Sequence, residues 1–244
     1  RFTNPIMTDP TISYGSNSDI ESLSLQLTEG SEKNQKQLVE KLAASGNEGL
    51  KVLMEFLSKR RDIPANIVDG KVYQILYQSD FPEAKEFLNS NFPQGIVSLK
   101  SDCNIDYSQL QELLANQEFE EADRLTLQKM CELSGEEALK RKWLYFSEVE
   151  KFPITDLQTI DKLWLIHSEG KFGFSVQREM WIGLRKNWEN LWVKIGWKKG
   201  NAWTRYPNEF VWSLDAPKGH LPLSNQLRGV RTISSLLSHP AWEK

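Results

Sequence analysis

Apolar residues in this chain recur mainly at helical spacing. Leu50, Leu53, Met54 and Leu57 fall at i, i+3, i+4 and i+7, one stripe of a helix. Around that stripe several short helices are expected. Ser18 and Glu21 have capping-box spacing and open a helix that stops near Gly30. Ser31 starts another, carrying Leu38, Val39 and Leu42 and ending at Gly46. Val72, Ile75 and Leu76 mark a third, and Pro82 suits the first turn of a fourth, with Phe87 and Leu88 inside it. The pattern predicts a small helical bundle over 18–95, with its charges on outward faces. Residues 1–17, which include RFTNPIM, read as a tag remnant and a flexible polar tail.

Residues 92–105 are rich in Pro, Gly, Ser, Asn and Asp and read as a linker. A second unit is expected over 103–242. Leu110, Leu113 and Leu114 line one helix, and Phe119, Ala122, Leu125 and Met130 line its partner, which ends by Gly135. Trp143–Val149 is a compact apolar segment closed by Pro153, and Leu157, Ile160, Trp164 and Ile166 continue a helix to Gly170. Ser175 and Asn187 are the expected caps of two further short helices. From Gly196 to Leu223, Gly and Pro break every periodicity while Trp197, Trp203, Tyr206, Phe210 and Trp212 are scattered among them. A loop of that length and aromatic content reads as functional. A final helix runs from Asn225 to about Ser238, with Leu227, Val230, Ser234 and Leu237 on its buried stripe. No stretch alternates as a strand, so the class is all-α.

Charge changes this picture. Residues 141–244 hold 16 of the 30 Lys and Arg but only 10 of the 33 Asp and Glu, a net of +6 that leaves −9 for residues 1–140. All nine Trp lie between Trp143 and Trp242. Positive charge and large aromatic faces in one half suggest a flat, anionic, aromatic ligand, although such a cluster serves a core equally well. Asn225, Arg228 and Arg231 follow at steps of three on the last helix and can present forks to carboxylates, or can pair with local Glu. Residues 185–205 interleave cations with Trp, a pattern that also fits single-stranded nucleic acid or a protein partner.

Catalytic chemistry is not indicated. His167, His220 and His239 are isolated, and no nucleophile–base pair or phosphate-cradling glycine loop is visible. Cys103 and Cys131 form no CxxC and read as reduced thiols in or near the core. No metal site is expected; His220, in the long loop, is the one candidate for an axial approach to a metalloporphyrin.

WLYFSEVEKFP (143–153), HSEGKFGFSVQ (167–177), KIGWKKGNAWTRYP (194–207) and GHLPLSNQLRGVR (219–231) resemble the "genomes uncoupled" porphyrin-binding proteins of oxygenic phototrophs. The N-terminal unit resembles the accessory bundle of cyanobacterial members. The resemblance implies an all-helical "cupped hand" over 103–242 that binds protoporphyrin IX and Mg-protoporphyrin IX reversibly, with no permanent cofactor. It implies a non-catalytic activator of magnesium chelatase, whose large porphyrin-binding subunit would be the protein partner, with no nucleic acid expected. It implies a cytoplasmic chain with peripheral contact at thylakoid membranes. The implied ligand set is Phe146, Val149, Trp203, Tyr206, Leu221, Leu223, Asn225, Arg228 and Arg231. Tyr206 departs from the pattern, since a Trp is common there in relatives.

Overall fold

The structure is a computed structural model that describes residues 17–223 and 230–243. The expected tail, the Asn225 and Arg228 positions and the start of the last helix lie outside the described residues, as does the Ser18 side chain. The described residues are mainly helical. Five helices make the N-terminal unit: α1 Asn17–Glu29, α2 Glu32–Ala44, α3 Asn47–Lys59, α4 Ile67–Gln78 and α5 Pro82–Asn91. Their apolar faces meet in one cluster that includes Leu27, Val39, Leu53, Val72 and Leu88.

The charges of this unit do not all face outward. In α4, Asp69 and Lys71 are buried. Asp69 caps the helix by accepting from the Asn66 N–H at 2.9 Å and takes Arg60 in a fork of 2.5 and 2.9 Å. Lys71 donates to Glu40 of α2 at 2.5 Å and to Glu169 at 3.1 Å. It thus ties the bundle to the second unit. Helix α4 is enclosed on several sides, and burying those charges is tolerable because each has a partner.

The second unit holds α6 Ser108–Ala115, α7 Phe119–Ser134, α8 Glu136–Arg141, α9 Phe146–Val149, α10 Ile154–His167, α11 Phe174–Gly183, α12 Trp188–Lys194 and α13 Val230–Leu237. Trp164 of α10 is fully buried at the centre, stacked on Phe119 (6.0 Å, 23°) with Phe172 edge-on. Its indole N–H donates to Thr126 Oγ1 at 2.9 Å, so the ring packs without an orphaned donor. Residues 92–105 are not a free linker: the buried Asp156 of α10 accepts from Ser101 Oγ (2.5 Å), the Asp102 N–H (2.8 Å) and Tyr107 OH (2.8 Å). Cys103 is exposed and Cys131 buried.

Two local expectations are corrected. Gly173, at φ 137°, caps α11, and Ser175 lies inside the helix. The buried Asp161 accepts from the Ser175 N–H at 2.8 Å, and a Cβ on Gly173 would stand 2.8 Å from that carboxylate. Only glycine gives both the left-handed turn and the room. The 196–223 stretch is mostly packed and includes a hairpin, β1 Lys198–Lys199 with β2 Ala202–Trp203, Lys198 opposite Trp203. The described residues are therefore not wholly helical, though the class is all-α. Asn187 caps α12 as expected, accepting from the Asn190 N–H at 2.9 Å. No helix among the described residues is long and apolar enough to cross a membrane.

Candidate functional site

Helix α9 is short, so its orientation depends on side chains at its start. Glu148 accepts from the Tyr145 N–H at 2.7 Å and from Arg141 Nη2, which donates to both carboxylate oxygens at 2.8 and 2.6 Å. The same guanidinium lies over Trp143 (4.6 Å) and Tyr145 (4.3 Å). Arginine suits this place because it can donate to a carboxylate and stack on rings at once. With α9 held, Val149 points into the core and Phe146 points out, 38% exposed.

Helix α13 crosses α9. Thr232, Ile233, Leu236 and Leu237 are its buried face. Ser235 Oγ donates to Glu150 at 3.2 Å. Val230, expected on the buried stripe, is 41% exposed. It lies roughly a quarter-turn from the centre of that face, at 100° per residue. Arg231 is exposed and holds its guanidinium 5.7 Å from the Phe146 ring centre. An outward aromatic ring is thus paired with an unburied cation.

The loop supplies a second exposed aromatic group. Trp203 and Tyr206 are each 44% exposed. Trp203 leans on Trp192 (5.8 Å) under the Lys198 ammonium (5.5 Å). Tyr206 stands edge-on to Phe210 (6.1 Å) and Trp212 (5.9 Å). The return limb of the loop is fastened by backbone and side-chain bonds. Gly219 N–H donates to Lys171 O at 2.9 Å and Gly173 N–H to Leu221 O at 3.0 Å. Gln177 Nε2 donates to Gly219 O (3.0 Å) and Pro222 O (2.8 Å). Leu223 N–H donates to Asp123 Oδ1 of α7 at 2.7 Å. Leu221 and Leu223 are consequently buried.

The axial role expected of His220 does not hold in this arrangement. The ring is buried, with Nδ1 2.6 Å from Ile195 O and Nε2 accepting from the Val211 N–H at 3.2 Å. Both nitrogens are occupied. Groups of His, Cys, Asp or Glu able to hold a metal are absent among the described residues. The 185–205 strip is likewise not an open stacking platform. Trp188 stacks on Trp181 (4.6 Å) and on Trp192 (5.2 Å), and Trp192 on Trp197 (5.5 Å), so these indole faces are already used. Trp164 and Trp181 serve packing.

Structure therefore brings Phe146 to Arg231, and leaves Trp203 and Tyr206 exposed on the loop. Val149, Leu221 and Leu223 are buried in the core of the same unit. Sequence reasoning missed Arg141, Trp143, Tyr145 and Glu148, whose spacing of two, two and three residues permits the observed clamp. It also missed Asp123, a single acid in a helix that carries no local signal. A separate cavity of about 450 Å³ opens at the junction of the two units, lined by Tyr73, Tyr77, Phe92, Lys85 and Glu112 among others.

Residues 100–240 match the family model described as GUN4-like, and residues 11–93 match an ARM-like repeat domain described as GUN4 N-terminal. The chain belongs to the GUN4-like family. Its relatives include a Ycf53-like protein of Synechocystis sp., 48% identical over 227 residues, which are 93% of this chain and 97% of that one. A chloroplastic tetrapyrrole-binding protein of Arabidopsis thaliana is 42% identical over 142 residues, 54% of each chain. Among solved structures, GUN4 of Chlamydomonas reinhardtii superposes with a TM-score of 0.57 at 45% identity, covering 60% of this chain and 96% of that one. The ligand-free GUN4 of Arabidopsis thaliana gives 0.53 at 42% identity, covering 57% and 99%. Phe146, Trp203, Tyr206 and Arg231 lie in the part that matches the GUN4-like model, and the bundle that meets it through α4 and α10 lies in the part that matches the GUN4 N-terminal model.

Proposed function

We propose that this GUN4-like chain binds protoporphyrin IX and Mg-protoporphyrin IX reversibly, without catalysing a reaction on them, and stimulates magnesium chelatase through that enzyme's large porphyrin-binding subunit. The observation that carries the reading is the pairing of an exposed ring with an exposed arginine, Phe146 with Arg231, in the same unit that leaves Trp203 and Tyr206 exposed on its loop. A porphyrin has two wide apolar faces and two propionates at one edge. Burying the faces needs large rings, and the propionates need a cation that keeps part of its water. Asn225 and Arg228 are proposed to join Arg231 at that edge, and Val149, Leu221 and Leu223 to back the rings. The chloroplastic relative's name, tetrapyrrole-binding protein, supports the same ligand class. Cytoplasmic residence with peripheral contact at thylakoid membranes belongs to this proposal, as does the division into units at 18–95 and 103–242.

Titrating the full chain with deuteroporphyrin while following Trp emission is expected to give saturable quenching at micromolar ligand. Linear, unsaturating loss of emission would remove the proposal. Arg231→Ala should weaken binding by about 1.5–3 kcal/mol, the range for a hydrogen bond to a charged group. An unchanged dissociation constant would take Arg231 out of the site. Tyr206→Trp adds ring area on the same exposed position and should tighten binding modestly, within about 1 kcal/mol; weaker binding would show that Tyr206 does not face the ligand.

A further inference from the structure

Asp123 is a buried carboxyl that the porphyrin site does not obviously need. It lies on α7, is 5% exposed, and is used by a residue 100 positions away: the Leu223 N–H donates to its Oδ1 at 2.7 Å. The other fastenings of the loop's return limb run to the 171–177 region, through Lys171 O, Gly173 N–H and Gln177, and to the 195–197 turn, where Trp197 Nε1 donates to His220 O at 2.8 Å. The Asp123 bond is thus the described tie between that limb and α7. Asp123 also lies close enough to Tyr206 for its charge to act on the phenol.

We propose that Asp123 is a positioning residue for porphyrin binding, pinning the end of the 196–223 loop to α7 and so fixing the aromatic wall formed by Tyr206. This rests on the porphyrin reading of the site given above. Without the tie, the Leu223 N–H is left without a partner at a buried place, and the limb moves away from α7 to find one. The wall then no longer meets a rigid planar ligand over its whole face.

The bond also has a chemical lever. Burial pushes the Asp123 carboxyl up to about 7, against the opposing pull of the Leu223 N–H and of Arg124. The groups acting on it are Arg124 and Glu120 of its own helix, while Tyr206 faces it from the loop. Opening the limb returns the carboxyl to water and to its ordinary acidic range. The open form therefore binds fewer protons than the closed form, and release becomes easier as pH rises from the ordinary carboxyl range to about 7, and no further above it.

Two variants of the full chain test this, read by amide hydrogen exchange at Leu223 and by deuteroporphyrin titration. Asp123→Val should lose protection at Leu223 and bind deuteroporphyrin about tenfold more weakly. Asp123→Asn keeps an acceptor of the same shape, so it should retain protection and bind within about twofold of the wild type. In the wild type, protection corrected for intrinsic exchange should fall from about pH 5 to about pH 7 and level off above that, and stay level throughout in Asp123→Asn. The inference is overturned if Asp123→Val frees Leu223 yet binds as the wild type does, or if Leu223 stays protected in it. Should Asp123→Val not fold, a wild-type protection that is level with pH, or one that falls equally in Asp123→Asn, overturns it. A failure of the porphyrin reading looks different: the wild type itself does not quench, while Leu223 is still released in Asp123→Val.

Discussion

Gly70→Ala is expected to destabilise the full chain by about 2–3 kcal/mol, although alanine is the better helix former by about 1 kcal/mol. Gly70 lies within α4, where a Cβ would stand 2.2 Å from the Ile166 carbonyl oxygen and 2.6 Å from the Ile166 side chain. That oxygen belongs to α10, the helix holding Trp164 at the centre of the second unit. Two backbones meet there with nothing between them, so even one methyl group must separate α4 from α10. Lys71 would then be drawn away from Glu169 at the same junction. Gly183→Ala is the control: its Cβ meets nothing within 4 Å, and its stability should stay within about 0.5 kcal/mol. Chemical denaturation of both variants checks this, and equal midpoints would mean that the close approach does not hold the two units together.

His167 gives the second large effect, and it is an effect of acid. The ring is fully buried at the end of α10, edge-on to Tyr73 of α4 (6.0 Å, 66°), and neither ring nitrogen has a hydrogen-bond partner among the described residues. Burial alone pushes it down to about 4 from its ordinary 6.5. Between those values the unfolded chain takes up a proton that the folded chain refuses. The stability is therefore fully present above about 6.5 and is lost as pH falls towards about 4, a loss of about 3 kcal/mol. Asp123 and Asp161 run the other way, since burial pushes them up to about 7 and about 6 and so favours the folded chain as pH falls. The useful quantity is thus the difference between two pH profiles. His167→Phe replaces one ring by another at a place with no hydrogen bonds to lose. Its advantage over the wild type should grow from near zero at neutral pH to about 3 kcal/mol at pH 4. A constant difference across that range would remove His167 as the cause.

These two residues also mark where the sequence was legible. Helix α3 was plain, because Leu50, Leu53 and Leu57 keep their apolar spacing and are all buried. Helix α4 was only half legible. Templates that count apolar residues pass over Asp69, Lys71 and Gln74, which are buried although polar. Asp69 pairs with Arg60, Lys71 with Glu40 and Glu169 far along the chain, and Gln74 Nε2 has no partner among the described residues. Gly70 reads locally as a weak point in a helix, and its purpose appears only when Ile166 is placed against it. The same distinction holds in the candidate site. Phe146 and Arg231 were accessible to pattern reading, since an aromatic segment and a step-of-three arginine face each carry a local signature. Trp203 and Tyr206 could be suspected, but Trp197 looks the same in sequence and is buried, its N–H spent on His220 O at 2.8 Å. His220 looked free in a glycine–proline loop and proved to be held from both sides. Long-range bonds, such as Leu223 to Asp123, leave no periodicity to read.

The stacked indoles have a consequence for any optical study of this protein. Trp181, Trp188, Trp192 and Trp197 form a continuous pile, and Trp203 leans on its Trp192 member. Rings this close share an excited state within its lifetime, so they emit as one pooled chromophore with depolarised light. A porphyrin arriving at Trp203 would darken the whole pile at once. Trp203→Phe should then keep most of the quenching signal, and loss of a single indole's emission is the wrong signature to seek. Exciton-coupled circular dichroism in the near ultraviolet, which depends on the relative tilt of neighbouring rings, follows the pile itself and separates a bound ligand from a disturbed scaffold.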